Sequence, residues 1–238
     1  MRLRLREFRF RTGPHEHRVV QPRQPLRHTS LHEPAPYGVL TGDHDGLSRL
    51  AGLFSFAAYS RHTVVHVPLR DTVTAHHGGG GGGERVDLVL AHHTYGLRPG
   101  KWPELRRRLA RGTPLTVRTD EARTARDAAA RERRSHDSGF RDELRHTTHA
   151  RTLFLIGSRD VFADTAMECA SAAGRGPRQK RIVKGGSALM GCIRGLESEA
   201  DPWRRPEVLI CFQAYPPYAH FRRPGESATR PRRPAAGP

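Results

Sequence analysis

The stretch Val86–Val117, VDLVLAHHTYGLRPGKWPELRRRLARGTPLTV, places the tightest limits on how this chain can fold. Val86, Leu88, Val89, Leu90 and Ala91 form an apolar run broken only by Asp87, the pattern of a strand covered on both faces. Trp102, Leu105 and Leu109 then recur at helical spacing, with Arg106–Arg108 on the other side. Pro103 suits a first helical turn, where its missing N–H would go unbonded anyway. Gly112 suits the residue that follows a helix, where a left-handed conformation costs least. Thr113-Pro114 then stops the helix, and Leu115–Val117 begins another strand. A strand, a helix and a strand in so short a span predict a βαβ unit, the building block of a parallel sheet.

The alternation continues on both sides of this unit. Upstream, Tyr37–Leu40 reads as a short strand, Leu47–Tyr59 as a helix and Thr63–Val67 as a β-branched strand. Downstream, Thr119 or Asp120 caps a surface helix running to Arg134, and Ser135–Thr148 reads as a polar loop. Thr152–Ile156 is a strand, and Gly157–Asp160 turns it into a helix lined by Phe162, Ala166, Cys169, Ala170 and Ala173 and closed by Gly174. Arg181–Val183 reads as a strand, Gly185-Gly186-Ser187 as a capped turn, and Leu189, Ile193 and Leu196 as a helical stripe. Val208–Phe212 is a final buried strand. From Val86 to Phe212 this order predicts an α/β fold, Rossmann-like and doubly wound, on a mostly parallel sheet.

The expected organisation is a single domain over 31–222, between a disordered basic segment at 1–30 and a disordered Pro/Arg tail at 223–238. The opening MRLRLREFRFRTG alternates Arg and Leu with period two, which leaves a presequence, an edge strand and a frayed tail open, the tail being favoured. The glycine run Gly78–Gly83 is followed by Glu84 and Arg85 where a phosphate-binding loop needs Lys and Ser or Thr. It reads as a flexible linker over 78–84.

The formal net charge is +17, yet of 41 basic residues only Lys101, Lys180 and Lys184 are lysines. With abundant Gly, Pro and Ala, that skew fits a GC-rich coding sequence, so solvated arginine is the plain reading and polyanion binding the alternative. The same bias suits a rarely translated frame without a selected function. Three cysteines without CxxC spacing argue against a disulfide framework or a zinc finger, so no disulfide partner is expected and a reducing compartment is. No run is long enough to span a bilayer, and no membrane partner is expected. These features place the chain in the cytoplasm or nucleus, with the mitochondrion open.

In a parallel sheet, ligands sit beyond the carboxyl ends of the strands. Gly157, Ser158, Arg159 and Asp160, and Gly185, Gly186 and Ser187, are therefore the candidate ligand-binding residues: each set puts small residues at a helix start, where free N–H groups favour an anion. Ser158 lacks the surrounding pattern of a nucleophile elbow. Tyr215, Tyr218, Arg222 and Arg223 are candidates for polyanion binding, with aromatic rings to stack on bases. His62, His66, His76, His77, His92 and His93 show no convergent set of three or four ligands, so no metal is expected, and no cofactor motif is present. Cys169, Cys192 and Cys211 read as packing residues.

The segment from Val86 through Ala128 resembles part of the C-terminal domain found in MYND zinc-finger proteins and in the fungal mitochondrial translational activator of cytochrome oxidase. The residues that carry the likeness are Asp87, Gly96, Trp102, Pro114, Thr119 and Glu121. The MYND finger itself and the Asn-Pro-Phe of the following loop are absent. The resemblance implies a non-enzymatic α/β domain used for interaction. The leading expectation is thus a binding or regulatory module for a protein or RNA partner. A small transferase or hydrolase, taking a phosphate-bearing ligand at the strand ends, is the alternative.

Overall fold

The computed structural model describes residues 1–34, 37–72, 83–142, 144–183, 186–193, 196–197 and 207–215. Arg2–Thr12 (β1) and His15–Pro22 (β2) form an antiparallel hairpin closed by Gly13-Pro14, with Gly13 at φ 58°. Ser30–His32 (β3) and Tyr37–Gly42 (β4) lead into His44–Ala58 (α1), capped by the Asp43 carboxylate. Val64–Val67 (β5), Asp87–His92 (β6), Trp102–Arg107 (α2) and Thr113–Arg118 (β7) follow. Next come Glu121–Ser135 (α3), Leu144–Thr148 (β8), Thr152–Gly157 (β9), Arg159–Arg175 (α4) and Lys180–Val183 (α5). Ser187–Ile193 (β10), Leu196–Glu197 (β11) and Glu207–Gln213 (β12) end the described chain.

The protein is a mixed α/β structure with two sheets. The larger runs β11-β8-β9-β6-β5-β2-β1-β7, the smaller β10-β12-β4-β3. Helices α1 and α4 lie between them. One face of the large sheet, carrying Leu3, Leu5, Val65, Leu88, Leu90, Leu153 and Leu155, packs on α1 and α4 in a core that also takes Val208, Ile210 and Phe212 of the small sheet. The opposite face, with Phe8, Val19, Val64, Val89, Ala91 and Phe154, packs under Trp102 and Leu105 of α2. Strand β6 is therefore covered on both sides, which its unbroken apolar run demands.

The pairing is not that of a mostly parallel, doubly wound sheet. Among the described residues six of the ten strand pairs are antiparallel. Of the five strands expected to lie side by side, only β6 and β9 are parallel neighbours. Strand β7 does not return beside β6; it pairs antiparallel with β1 at the sheet edge. Its residues explain this: Leu115 and Val117 offer one half-buried face, the others are exposed, and Pro114 cannot donate to a second neighbour. Strand β12 belongs to the other sheet.

Five further expectations are corrected. Residues 1–30 are not disordered but build β1, β2 and β3. Along β1 the buried phase switches, Leu3 and Leu5 facing α1 while Phe8 faces α2, so neither face shows a long apolar stripe in sequence. The loop over Ser135–Thr148 contains β8, joined to β9 by a two-residue turn, Ala150-Arg151, with φ of 50° and 55°. Neither residue is the Gly or Asn that normally signals such a turn. Arg181–Val183 lies in a single helical turn, not a strand. The expected helical stripe Leu189, Ile193 and Leu196 is instead split between β10, paired along β12 with a bulge between Leu189 and Gly191, and β11, paired with β8. Gly191 inside a helix would cost about 1 kcal/mol relative to Ala, and the unpaired edge of β12 supplies the competing partner. Gly112 does not cap α2, which ends at Arg107 with Arg108 as its cap. A Cβ there would stand 2.8 Å from the Phe8 ring, so the glycine admits a close approach. Of the linker over 78–84, only Gly83 and Glu84 are among the described residues, and the 223–238 tail lies outside them.

Candidate nucleic-acid interface

At the carboxyl ends of β6 and β9, the segment Gly157–Asp160 is already filled by its own side chains. A Cβ on Gly157 would stand 2.6 Å from Leu144, so this glycine serves packing. Ser158 caps α4, accepting from the Val161 N–H at 3.3 Å and donating to Asp142 Oδ2 at 2.8 Å. Asp160 accepts from Arg159 Nε (2.6 Å) and Arg134 Nη2 (2.5 Å), and Arg159 also faces Asp127 at 3.6 Å. Burial works to raise the Asp160 pKa, but the two arginines outweigh it and hold the carboxyl below its ordinary value. Carboxylates thus crowd the helix N-terminus and would repel a phosphate.

The second candidate set does not form a helix start. Gly185 lies outside the described residues, Gly186 is exposed, and Ser187 opens β10. Tyr215 stacks on His28, ring centroids 3.4 Å apart; Tyr218, Arg222 and Arg223 lie outside the described residues. A mainly apolar groove of about 240 Å³ lies between α1, α4 and the start of α3. A polar one of about 460 Å³ lies beside His28 and Tyr215, and none of Gly157–Asp160 lines either groove.

Among the described residues no group of three or more His, Cys, Asp or Glu side chains is placed to hold a metal. His92 and His93 lie ring to ring at 4.3 Å, but each is engaged, His92 with the Thr94 hydroxyl and His93 with the Gly157 carbonyl. The three cysteines are free thiols, and burial pushes that of Cys169 up to about 12. No described helix is long and apolar enough to cross a membrane.

Beneath α2 sits a buried polar cluster that sequence reading passed over, since His66 and Asp87 are 21 positions apart. Asp87 Oδ1 accepts the backbone N–H groups of Leu69 and Arg70, both at 3.0 Å. Its Oδ2 takes Arg70 Nε at 2.7 Å and His66 Nε2 at 3.3 Å. Gln21 donates to His66 Nδ1 at 2.6 Å, which leaves the ring proton on Nε2 for Asp87. Trp102 closes the cluster edge-on over His66 at 5.0 Å. Burial works to raise the Asp87 pKa, but the bonds from His66 and Arg70 hold it far below the usual carboxylate range. Burial pushes His66 down against the pull of Asp87, with Arg106 and Arg70 adding to the fall.

That cluster fixes the edge of an open, positively charged surface. Side chains alternate across a strand, so Arg2, Arg4 and Arg6 share the face of Phe8, the α2 side of the sheet. The unbroken register sets Arg118 opposite Arg2, Thr116 opposite Arg4, and Pro114 and Gln21 opposite Arg6. All four arginines are exposed. None has a side-chain ion pair or hydrogen bond among the described residues. Arg23, whose N–H donates to the Arg4 carbonyl, adds a further exposed guanidinium. On the helix side stands Arg106, exposed and near enough to His66 to oppose its protonation. The acid on β1, Glu7, points the other way and is taken by Arg9 and Arg18.

Like charges directly opposite on neighbouring strands destabilise a sheet. The Arg2–Arg118 pair carries that cost uncompensated, and an anion across both would reverse it. The period-two Arg/Leu alternation was the signal for this surface, and only the sheet shows that its arginines point outward together. Comparison with protein-family models, with curated proteins and with solved structures returned no match.

Proposed function

We propose that this chain is a non-enzymatic binding module whose arginine-bearing sheet face takes RNA through its phosphates. The observation that carries the reading is the uncompensated row Arg2, Arg4 and Arg6 with Arg118 beside it. Guanidinium groups form bidentate, charge-assisted bonds to phosphate, and each neutralised phosphate releases condensed counterions. The surface floor is backbone-stiffened sheet, so the row is held in place before it meets a partner. The resemblance of Val86–Ala128 to an interaction domain points the same way. The crowding of Asp142, Asp160 and Asp127 around Ser158 speaks against a transferase or hydrolase using that helix start.

The test is retention of a fluorescent RNA oligonucleotide at low salt, measured by anisotropy, with folding of each variant checked by circular dichroism. Arg2→Glu, Arg4→Glu and Arg6→Glu together should weaken binding by more than about 10-fold, because salt-dependent affinity scales with phosphates contacted. Ser158→Ala should leave it unchanged. Binding that survives the triple reversal but disappears in Arg222→Glu with Arg223→Glu would place the interface in the C-terminal segment and overturn the reading. Absence of binding by the unaltered protein would overturn it as well.

A further inference from the structure

Resting on that reading, we infer that the arginine face accepts one nucleic-acid strand laid lengthwise along β1, and not a duplex. Three features carry this. First, residues two apart on an antiparallel strand are about 6.8 Å apart, so Arg2, Arg4 and Arg6 span roughly 14 Å in a straight line. That repeat is close to the step between successive phosphates of an extended sugar–phosphate chain, so the three guanidiniums address three consecutive phosphates of one strand.

Second, the charged strip is narrow. It occupies β1 and its edge neighbour β7, with strands about 4.8 Å apart. A duplex offers two backbones separated by grooves about 6 and 12 Å wide, and on the sheet itself the next strand inward, β2, turns Gln21, Val19, His17 and His15 to this face and no arginine. Third, the strip lies at the foot of a wall. Helix α2 rises from the same face, seated by Trp102 and Leu105, and a helix with its side chains is about 10–12 Å across. A thin strand fits the step between helix and sheet, where Arg106 reaches it from the wall, whereas a stiff cylinder would meet the helix first.

Among the described residues the floor of the strip carries no exposed aromatic ring. Pro114 and Thr116 line the edge, and Phe8 is buried under α2. Bases lying there have no stacking platform and no groove readout, so recognition follows backbone charge and not sequence.

Anisotropy titrations with a labelled RNA of about ten nucleotides, the same sequence as a duplex, and heparin as a competitor separate the possibilities. For single strands the slope of log affinity against log salt is about −0.7 per phosphate contacted, so Arg2 with Arg118 on one phosphate and Arg4, Arg6 and Arg106 on one each predict about −2.8. Arg2→Gln, Arg4→Gln and Arg6→Gln together should bring it to about −1.4. Arg9→Gln with Arg11→Gln, on the opposite face of β1, should leave it unchanged. Single strands of uridine and of adenine should bind alike, and both at least about 10-fold tighter than the duplex at the same salt. Equal or tighter duplex binding, or an equal loss of slope from the Arg9/Arg11 variant, overturns the single-strand inference while leaving polyanion binding standing. Failure of heparin and of every RNA to bind at low salt overturns both.

Discussion

Replacing Asp87 by asparagine removes one charge from the cluster beneath Trp102 and changes nothing in its size. The carboxylate accepts two backbone N–H groups on Oδ1 and Arg70 and His66 on Oδ2, so all its partners are donors. An asparagine keeps one accepting oxygen. Whichever way the amide turns, its NH2 faces either the Leu69 and Arg70 backbone or the guanidinium and imidazole, donor against donor. The Arg70 side chain is 10% exposed and would be left nearly buried without its counter-charge. Breaking a buried pair by removing one partner costs about 3–5 kcal/mol, a large share of the roughly 5–15 kcal/mol that holds a protein of this kind folded. Urea unfolding followed by circular dichroism measures the loss. Asp87→Asn combined with Arg70→Met leaves the amide oxygen on the two backbone N–H groups and no unpaired charge, and should recover at least about 2 kcal/mol relative to Asp87→Asn alone. A loss below about 1 kcal/mol for Asp87→Asn, or a double variant as unstable as the single ones summed, would refute the account of the cluster as a coupled unit.

Acid should weaken the fold well before its carboxylates titrate. Burial holds His66, His92, His32 and His17 below the ordinary histidine value. Such groups contribute stability that is fully present above the unfolded pKa of about 6.5 and is lost as pH falls toward the folded values. The melting temperature should therefore drop between neutral pH and about pH 5, less so in His66→Gln, and a flat profile in the unaltered protein would contradict this. A second loss follows from Asp87, whose folded pKa is depressed; its contribution is present above about pH 4 and disappears on further acidification. At the β8–β9 turn, Ala150 sits at φ 50°. A left-handed residue with a Cβ costs about 1–2 kcal/mol, against about 0.4–1 for the extra chain entropy of glycine. Ala150→Gly should thus raise stability by about 0.5–1 kcal/mol, read as a melting temperature higher by about 1–4 °C, and a decrease would show the turn to be unstrained.

Much of the local structure was legible in the residues themselves. An apolar run bounded by turns made β6, β9 and β12 visible, helical spacing located α1 and α4, and a capping residue before good helix formers located α3. These are nearest-neighbour effects: a strand buried on both faces needs apolar residues on both, and a helix start needs an acceptor for its free N–H groups. Where the local signal was faint the tertiary structure overruled it. Ala150-Arg151 gives no hint of a hairpin, yet β9 needed an antiparallel neighbour on its open side. Leu189 and Ile193 keep helical spacing, yet the edge of β12 drew them into a strand.

What the chain alone could not specify was which strands meet. Each strand offers the same backbone donors and acceptors, and its sequence says only whether one face or both must be covered, not the neighbour or its direction. Placing β7 beside β1 instead of β6 was decided by packing across more than a hundred residues, and with it the candidate site moved. The strand ends carrying Gly157–Asp160 became a self-satisfied corner. An alternation of arginine and leucine, ambiguous as a tail, became a charged face, because a pleated strand with Leu3 and Leu5 in the core puts Arg2, Arg4 and Arg6 on its other side.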